Sequence, residues 1–218
     1  MLVKTRGIVF KFFKYRDTSI IAKVYTEEFG LQSYVVNGIR KSKGKIALFQ
    51  PLTLLDLVVY KKQHTEINRI SQFSCSNQFS TIPYQIAKSS IAVFLSEVLY
   101  KCIRQDEQAP ALFDFIYHSI LVLDQLESNY QNFHLQFLIK LSGHLGFGIS
   151  GLDQFAHTTD PAMEMKIDQL IKSAYTDLLQ IGNQSRRAIL DDLIRFYHTH
   201  VDGLGEIKSI QILQTILG

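Results

Sequence analysis

Arg40, Lys41, Lys43 and Lys45 place four positive charges within six residues of "NGIRKSKGK", and no acid interrupts them. Gly38 and Gly44 let the backbone bend there. Such a cluster binds polyanions. It displaces the counterions condensed on a phosphate backbone, so its binding weakens steeply with salt. Phosphate contacts carry little base information, so no sequence preference is implied. The competing reading is a solvated loop with no ligand. A second set of cations lies upstream: Lys4, Arg6, Lys11, Lys14, Arg16 and Lys23 are interleaved with Phe10, Phe12, Phe13, Tyr15 and Tyr25. Strand alternation places Phe10, Phe12 and Lys14 on one face and Lys11, Phe13 and Tyr15 on the other. Single-stranded nucleic acid asks for cations that track phosphates and rings that stack on bases. Against this stands a bland reading, in which the rings are core and the lysines solvate a surface.

The charge partition favours a polyanion. Residues 1–62 carry 12 Lys/Arg against 4 Asp/Glu, a balance of +8, and residues 63–218 carry 11 against 16, a balance of −5. The total of +3 hides this asymmetry. A region near +8 attracts polyanions, whereas one near −5 does not. In the acidic part, Arg186 and Arg187 flank an apolar helix face containing Ile189, Leu190 and Leu193, with Arg195 two turns on. Arginines beside an exposed apolar groove can receive a peptide bearing acidic and aromatic groups. Core packing with solvated arginines is the alternative.

Catalytic signatures are absent. The chain has no GxxxxGK[ST], no GxSxG and no HExxH. Asp191 and Asp192 are sequence neighbours and point about 100° apart on a helix, which does not make a proton-sharing dyad. His134 and His144 are roughly 15 Å apart along a helix axis, His198 and His200 point to different faces, and His118 and His157 have no ligand-type neighbours. No metal, cofactor or enzymatic turnover is expected. Cys75 and Cys102 form no CxxC and no disulfide framework. The start, MLVKTRG, has no apolar segment before a cleavage site, and no run of 18 apolar residues occurs, so neither a leader nor a membrane span is expected.

The elements that must position these residues divide near residue 80. "GIVFKFFKY", "TSIIAKVYT", "LQSYVVNG", "LTLLDLVVYKK" and "TEINRISQFSC" read as five strands separated by short turns. The intervals exclude helical crossovers, so antiparallel pairing is expected, and closure into a small barrel removes exposed edges. An open sheet is the alternative. The stretch from Arg40 to Lys45 reads as a mobile connection between strands three and four. Beyond residue 83 the apolar period becomes three to four, predicting helices over "PYQIAKSSIAVFLSEVLYKCI" with Pro83 in its first turn, "PALFDFIYHSILVLDQLE", "NYQNFHLQFLIKLSGHLG", "MEMKIDQLIKSAYTDLLQ", "SRRAILDDLIRFYHTHV" with Ser185 as N-cap, and "GEIKSIQILQTIL". The expected architecture is α+β: a five-stranded N-terminal barrel over 1–79 and an all-helical domain over 80–218.

"GIVFKFFKYRDTSIIAKVYTEEFGLQSYVVNGIRKSKGKIALFQPL" resembles the N-terminal domain of the RecO family, bacterial mediators of DNA repair and recombination. Gly7, Tyr15, Asp17 and Ser19 match the first strand and turn, Thr26 and Gly30 the second, Gly38 and Arg40 the end of strand three, and Gln50 and Pro51 the approach to strand four. "FYHTHVDGLGEIKSIQIL" is similar to the last helices of the family, with His200 and the Lys208–Ser209 pair in place. The resemblance implies an OB-fold followed by a helical domain and binding of single- and double-stranded DNA. It also implies strand annealing without turnover, docking of the single-strand-binding protein C-terminal tail, and cooperation with RecR in loading RecA. A cytoplasmic, nucleoid-associated protein follows from that. The resemblance raises the expectation for Arg186, Arg187 and Arg195 as peptide contacts. A protein-interaction adaptor that does not itself bind DNA is the rival reading. Many members carry four cysteines that bind zinc in the helical domain. Here "GHLGFGISGLDQFAHTTDPAME" has none. No zinc is expected, and Phe147, Ile149, Leu152 and Phe155 are expected to anchor that loop instead.

Overall fold

The computed structural model describes residues 1–61, 65–105, 108–156 and 160–217, with Lys41 and Lys43 described in backbone only. His157, which the sequence gives no ligand-type neighbours, and the side chains of Lys41 and Lys43 lie outside the described residues. The chain forms two compact units. One joins Met1–Phe79 to Leu95–His118, and the other joins Ser80–Phe94 to Ser119–Gly218.

In the first unit, β1 (Leu2–Tyr15), β2 (Ser19–Thr26), β3 (Gly30–Val36), β4 (Leu54–Tyr60) and β5 (Ile67–Cys75) form a closed barrel in the order β1-β2-β3-β5-β4. All pairings are antiparallel except β3 with β5. This is the OB-fold. β1 begins five residues before the expected strand, because Leu2–Arg6 pair with β4 while Gly7–Tyr15 pair with β2. A β-carbon on Gly7 would lie 2.7 Å from Leu57 and 2.8 Å from Val24, so only glycine fits where β1 faces the packed interior. Val9, Ile20, Ala22, Val24, Tyr34, Val36, Leu55, Leu57, Val59 and Ile70 fill that interior.

The ladder shifts register between Val9 and Lys11. This bulge overturns the expected grouping of Phe10 with Phe12. Val9 and Phe12 pack on the barrel core, while Phe10 turns away and stacks on Tyr25 at 5.9 Å. An inserted residue reverses the alternation beyond it.

The expected mobile connection is also corrected. After Gly38, whose φ of 67° needs the left-handed region, the chain makes a 3-10 turn (Ile39–Lys41) and a short helix, α1 (Lys43–Ala47). Ile39 and Phe49 are buried in the barrel core, and Ile46 and Leu48 pack against it. Apolar anchors on one side therefore pin the segment that carries the cations.

The helices are α2 (Ile86–Cys102), α3 (Pro110–Gln125), α4 (Phe133–His144), α5 (Pro161–Lys172), α6 (Asn183–His200) and α7 (Ser209–Leu217). Pro83 lies in the turn before α2 rather than in its first helical turn. α5 stops at Lys172, eight residues short of expectation. Asp177 accepts the Ala174 N–H at 2.8 Å, and Gln136 of α4 donates to the Ala174 carbonyl at 2.8 Å. These side-chain bonds compete successfully with further helix. α6 is capped by Gly182 instead of Ser185, whose hydroxyl takes a bond from Lys166. α4 is buried along most of its length and forms the centre of the second unit.

Phe147 packs 5.3 Å from Tyr197 and 5.0 Å from His200, Phe155 packs on Phe196, and Ile149 and Phe155 are buried. Leu152 sits half-exposed in a 3-10 turn. The loop in which the resemblance places zinc is thus held by aromatic packing. Its donor set does not suit that ion, since neither cysteine lies in it.

The second unit also contains a buried carboxylate. Asp124 accepts the backbone N–H groups of Ser80, Thr81 and Ile82 at 2.8, 2.9 and 2.9 Å. The ammonium of fully buried Lys88 donates to Thr81 Oγ1 at 2.7 Å and to the Asp124 carbonyl at 3.1 Å. Burial pushes the Asp124 carboxyl up, but the three N–H donors and the Ser80 hydroxyl outweigh it and hold its pKa below the ordinary value. A depressed carboxylate stabilises the fold above about pH 4, and this contribution is lost as pH falls through the folded value. Asp124→Ala should cost about 3 kcal/mol in urea unfolding at pH 7, because buried N–H groups lose a charged acceptor. The difference from the unsubstituted protein should shrink as pH is lowered below 4.

Candidate nucleic-acid interface

Strand register sorts the outward side chains of the barrel into rows. One row runs Phe13, Ile21, Val35, Arg69, Tyr60, Leu2 across β1, β2, β3, β5, β4 and back to the start of β1. The row beside it runs Lys11, Lys23, Ser33, Ile67. Lys11 and Lys23 are direct cross-strand partners. The Lys11 ammonium lies 3.3 Å from the Tyr100 ring centroid and 5.1 Å from that of Phe13. Burial lowers the Lys11 pKa first, and the charges of Lys23 and Lys101 lower it further against a smaller opposing pull from Glu97. Lys23 donates to Ser33 Oγ at 2.6 Å.

A second group of cations sits at one end of the barrel. Arg16 occupies the β1–β2 turn with φ of 51°, its guanidinium 5.2 Å from the Tyr15 ring centroid. Arg40 donates to the carbonyls of Arg16 and Asp17 at 3.1 and 3.0 Å, which ties the segment after β3 to that turn. Lys14 is exposed at the end of β1, and Lys45 is exposed on α1. The fold therefore gathers Lys14, Arg16 and Arg40, with Lys45 on the next helix, and sets Lys11 and Lys23 on the adjoining face.

Arg6 and Lys4 stand apart from both groups. Arg6 makes a fork to Glu27 at 2.9 and 2.7 Å, reaches Asp114 at 3.1 Å, and lies about 5 Å from the rings of Phe113 and Tyr117. Two carboxylates neutralise it, so it fastens α3 to the barrel instead of offering a free charge. Lys4 lines an open groove of about 650 Å³ with Asp56, Gln72 and Phe73. Arg69, Tyr60, Tyr100 and Lys101 were not singled out from sequence. Period-two reading of "INRIS" exposes Arg69, but Tyr100 and Lys101 reach the barrel only through tertiary packing of α2.

The three arginines of α6 do not converge. Arg186 is buried and donates to Asn132 Oδ1, Asn183 Oδ1 and the carbonyls of Ile181 and Leu217 at 2.9–3.1 Å. Arg187 is exposed and bonds the Gln214 carbonyl. Arg195 pairs with Asp192 and lies nine residues from Arg186, about 180° round the helix. Arg186 and Arg187 line a narrow crevice of about 10 Å³ with His134, Leu190, Leu213 and Leu217. Burial, aided by the Arg186 charge, drives the His134 pKa down to about 3 against a bond with the Gln131 backbone. Arg186 is thus a structural tie between α6 and the end of α7. Arg186→Leu should lower unfolding stability by about 3 kcal/mol by urea titration, since charge-assisted bonds to carbonyls are lost. Arg187→Ala should leave it within about 0.5 kcal/mol.

Among the described residues, no group of three or more His, Cys, Asp or Glu is placed to hold a metal ion, and no helix is long and apolar enough to cross a membrane. Residues 1–79 match the family described as Recombination protein O N terminal, and residues 83–157 match Recombination protein O C terminal. The chain is 34% identical over 242 residues to DNA repair protein RecO of Bacteroides fragilis, covering 99% of each. It is 30% identical over 243 residues to the RecO of Flavobacterium psychrophilum, again covering 99% of each. It is 40% identical over 148 residues to that of Phocaeicola vulgatus, covering 67% of this chain and 61% of the relative. A closed five-strand barrel followed by helices, matched along nearly its whole length by the first two of these proteins, makes this chain a member of the RecO family.

Proposed function

We propose that this protein is a DNA repair and recombination mediator. It binds single- and double-stranded DNA, anneals complementary strands and helps load recombinase onto coated single strands. The observation that carries the reading is the gathering of Lys14, Arg16 and Arg40 at one end of an OB barrel, beside the Lys11–Lys23 pair. Cations held at fixed spacing screen the repulsion between two phosphate backbones and let bound strands exchange until bases pair. No covalent step is required. Membership of the RecO family supports the same role.

Residues 1–79 supply the DNA-binding domain in this reading, and residues 80–218 supply protein contacts. The acidic, hydrophobic-ended C-terminal tail of the single-strand-binding protein is the proposed peptide, with Arg187 as its cation beside Leu190 and Leu213. RecR is the proposed partner in loading RecA, and the site of action is the cytoplasmic nucleoid.

The test is DNA affinity against salt, with the full chain. The triple variant Lys14→Glu, Arg16→Glu, Lys45→Glu leaves the internal bonds of Arg40 intact. It should bind both DNA forms at least tenfold more weakly and flatten the log–log salt slope by about 2–3 for duplex. Unchanged affinity and slope would remove this end of the barrel from the interface. Absence of any salt-dependent binding by the unsubstituted chain would leave the adaptor reading in its place.

A further inference from the structure

The last helix meets the arginine proposed as the cation of the peptide site. α7 has the sequence SIQILQTIL and carries no charged side chain. Its Leu213 is 1% exposed and lines the crevice with His134 and Leu190. Arg187 donates to the Gln214 carbonyl and Arg186 to the Leu217 carbonyl, each at 3.0 Å. Gln214 in turn donates to Asp191 at 3.3 Å. Both carbonyls belong to the last turn of α7, where helix carbonyls lack an intrahelical partner and carry the negative end of the helix dipole. The helix thus presents what an acidic peptide with an apolar end presents: negative charge to the guanidinium groups and a branched side chain to the apolar floor. It also fills the space. About 10 Å³ remains, room for a single water, against roughly 300–1,000 Å³ in a small-ligand site.

Resting on the peptide-docking reading above, we propose that α7 is an autoinhibitory strap. It occupies the docking site as an internal substitute for the acidic peptide, which binds by displacing it. Leu213 is then a plug and not a wall of the site. The polar part of the exchange is favourable. A carboxylate meets a guanidinium with a full charge and a two-bond fork, whereas a helix end presents about half a charge. Burial of Leu213 opposes the exchange. An isolated helix of this length is marginal in water, so released α7 loses its fold as well as its contacts, and the strap stays shut until peptide is present. The surroundings survive such an opening. Leu204 and Ile207, 1 and 5% exposed, anchor the chain just before α7. Arg186 keeps its bonds to Asn132, Asn183 and Ile181 when Leu217 leaves. Arg187 is freed to meet the incoming carboxylate.

The test is hydrogen exchange on the full chain, with and without a saturating peptide of aspartates ending in phenylalanine. Amides of residues 213–217 should lose protection when the peptide binds, and those of α4 should not. In parallel, Leu213→Ala should bind the labelled peptide more tightly by about tenfold or more, since it weakens the plug and raises the open fraction. Adding Arg187→Ala should abolish that gain, because the released site loses its cation. Protection of α4 in Leu213→Ala checks that the variant folds; if it does not, exchange on the unsubstituted chain decides alone. Peptide bound with residues 213–217 still protected, or unchanged or weaker binding by a folded Leu213→Ala, would overturn the strap. In that case binding that is lost in Arg187→Ala would still support the docking reading. No peptide binding by either the unsubstituted chain or Leu213→Ala would remove both.

Discussion

The barrel depends on one strand that serves two partners. β1 is 14 residues long, and it closes the sheet by pairing with β4 along its first half and β2 along its second. A strand that bends between two neighbours needs a place to turn and a place to pack closely. The bulge at Val9–Lys11 supplies the turn, and Gly7 supplies the close approach to Leu57 and Val24. The bulge also decides which side chains leave the core. It sends Phe10 toward Tyr25 and keeps Val9 and Phe12 inside. Lys11 and Phe13 are thereby delivered to one outer face.

The cations divide according to what faces them. Arg6 meets two carboxylates and two rings and becomes a fastener. Arg186 meets backbone carbonyls and amide oxygens and becomes a tie within the helical unit. Lys14, Arg16 and Lys45 bond no carboxylate among the described residues, so their charge projects into solvent, where a polyanion can meet it. Arg40 is intermediate. It bonds two turn carbonyls, which orient the guanidinium without neutralising it. A count of Lys and Arg treats all of these alike, although their energetic roles differ.

The helical unit stabilises irregular backbone with side-chain acceptors and donors rather than with longer helices. Asp124 gathers three N–H groups before α2, and Gln136 and Asn132 hold the segment after α5. In the loop after α4, the aromatic rings of Phe147 and Phe155 pack on Tyr197 and Phe196 of α6. Aromatic burial of this kind supplies large contact area without needing an ion.

By itself the sequence determined the order of elements and the electrostatic character of the two halves. Period-two runs of branched and aromatic residues specify strands, three-to-four periodicity specifies helices, and the +8 against −5 partition is simple addition. The matches at Gly7 and Gly38 were legible because left-handed turns and tight packing leave few residue choices. Tertiary structure alone decided which cations remain available. Arg6 and Asp114 are 108 residues apart, and Arg186 is satisfied by Leu217 at the far end of the chain. It also decided the faces of β1, because one inserted residue reverses an alternation that local sequence cannot reveal. Likewise, the segment from Arg40 to Lys45 looked loose until Ile39, Ile46 and Phe49 found the barrel core. Local pattern is a property of neighbours in the chain. Charge neutralisation and burial are properties of neighbours in space.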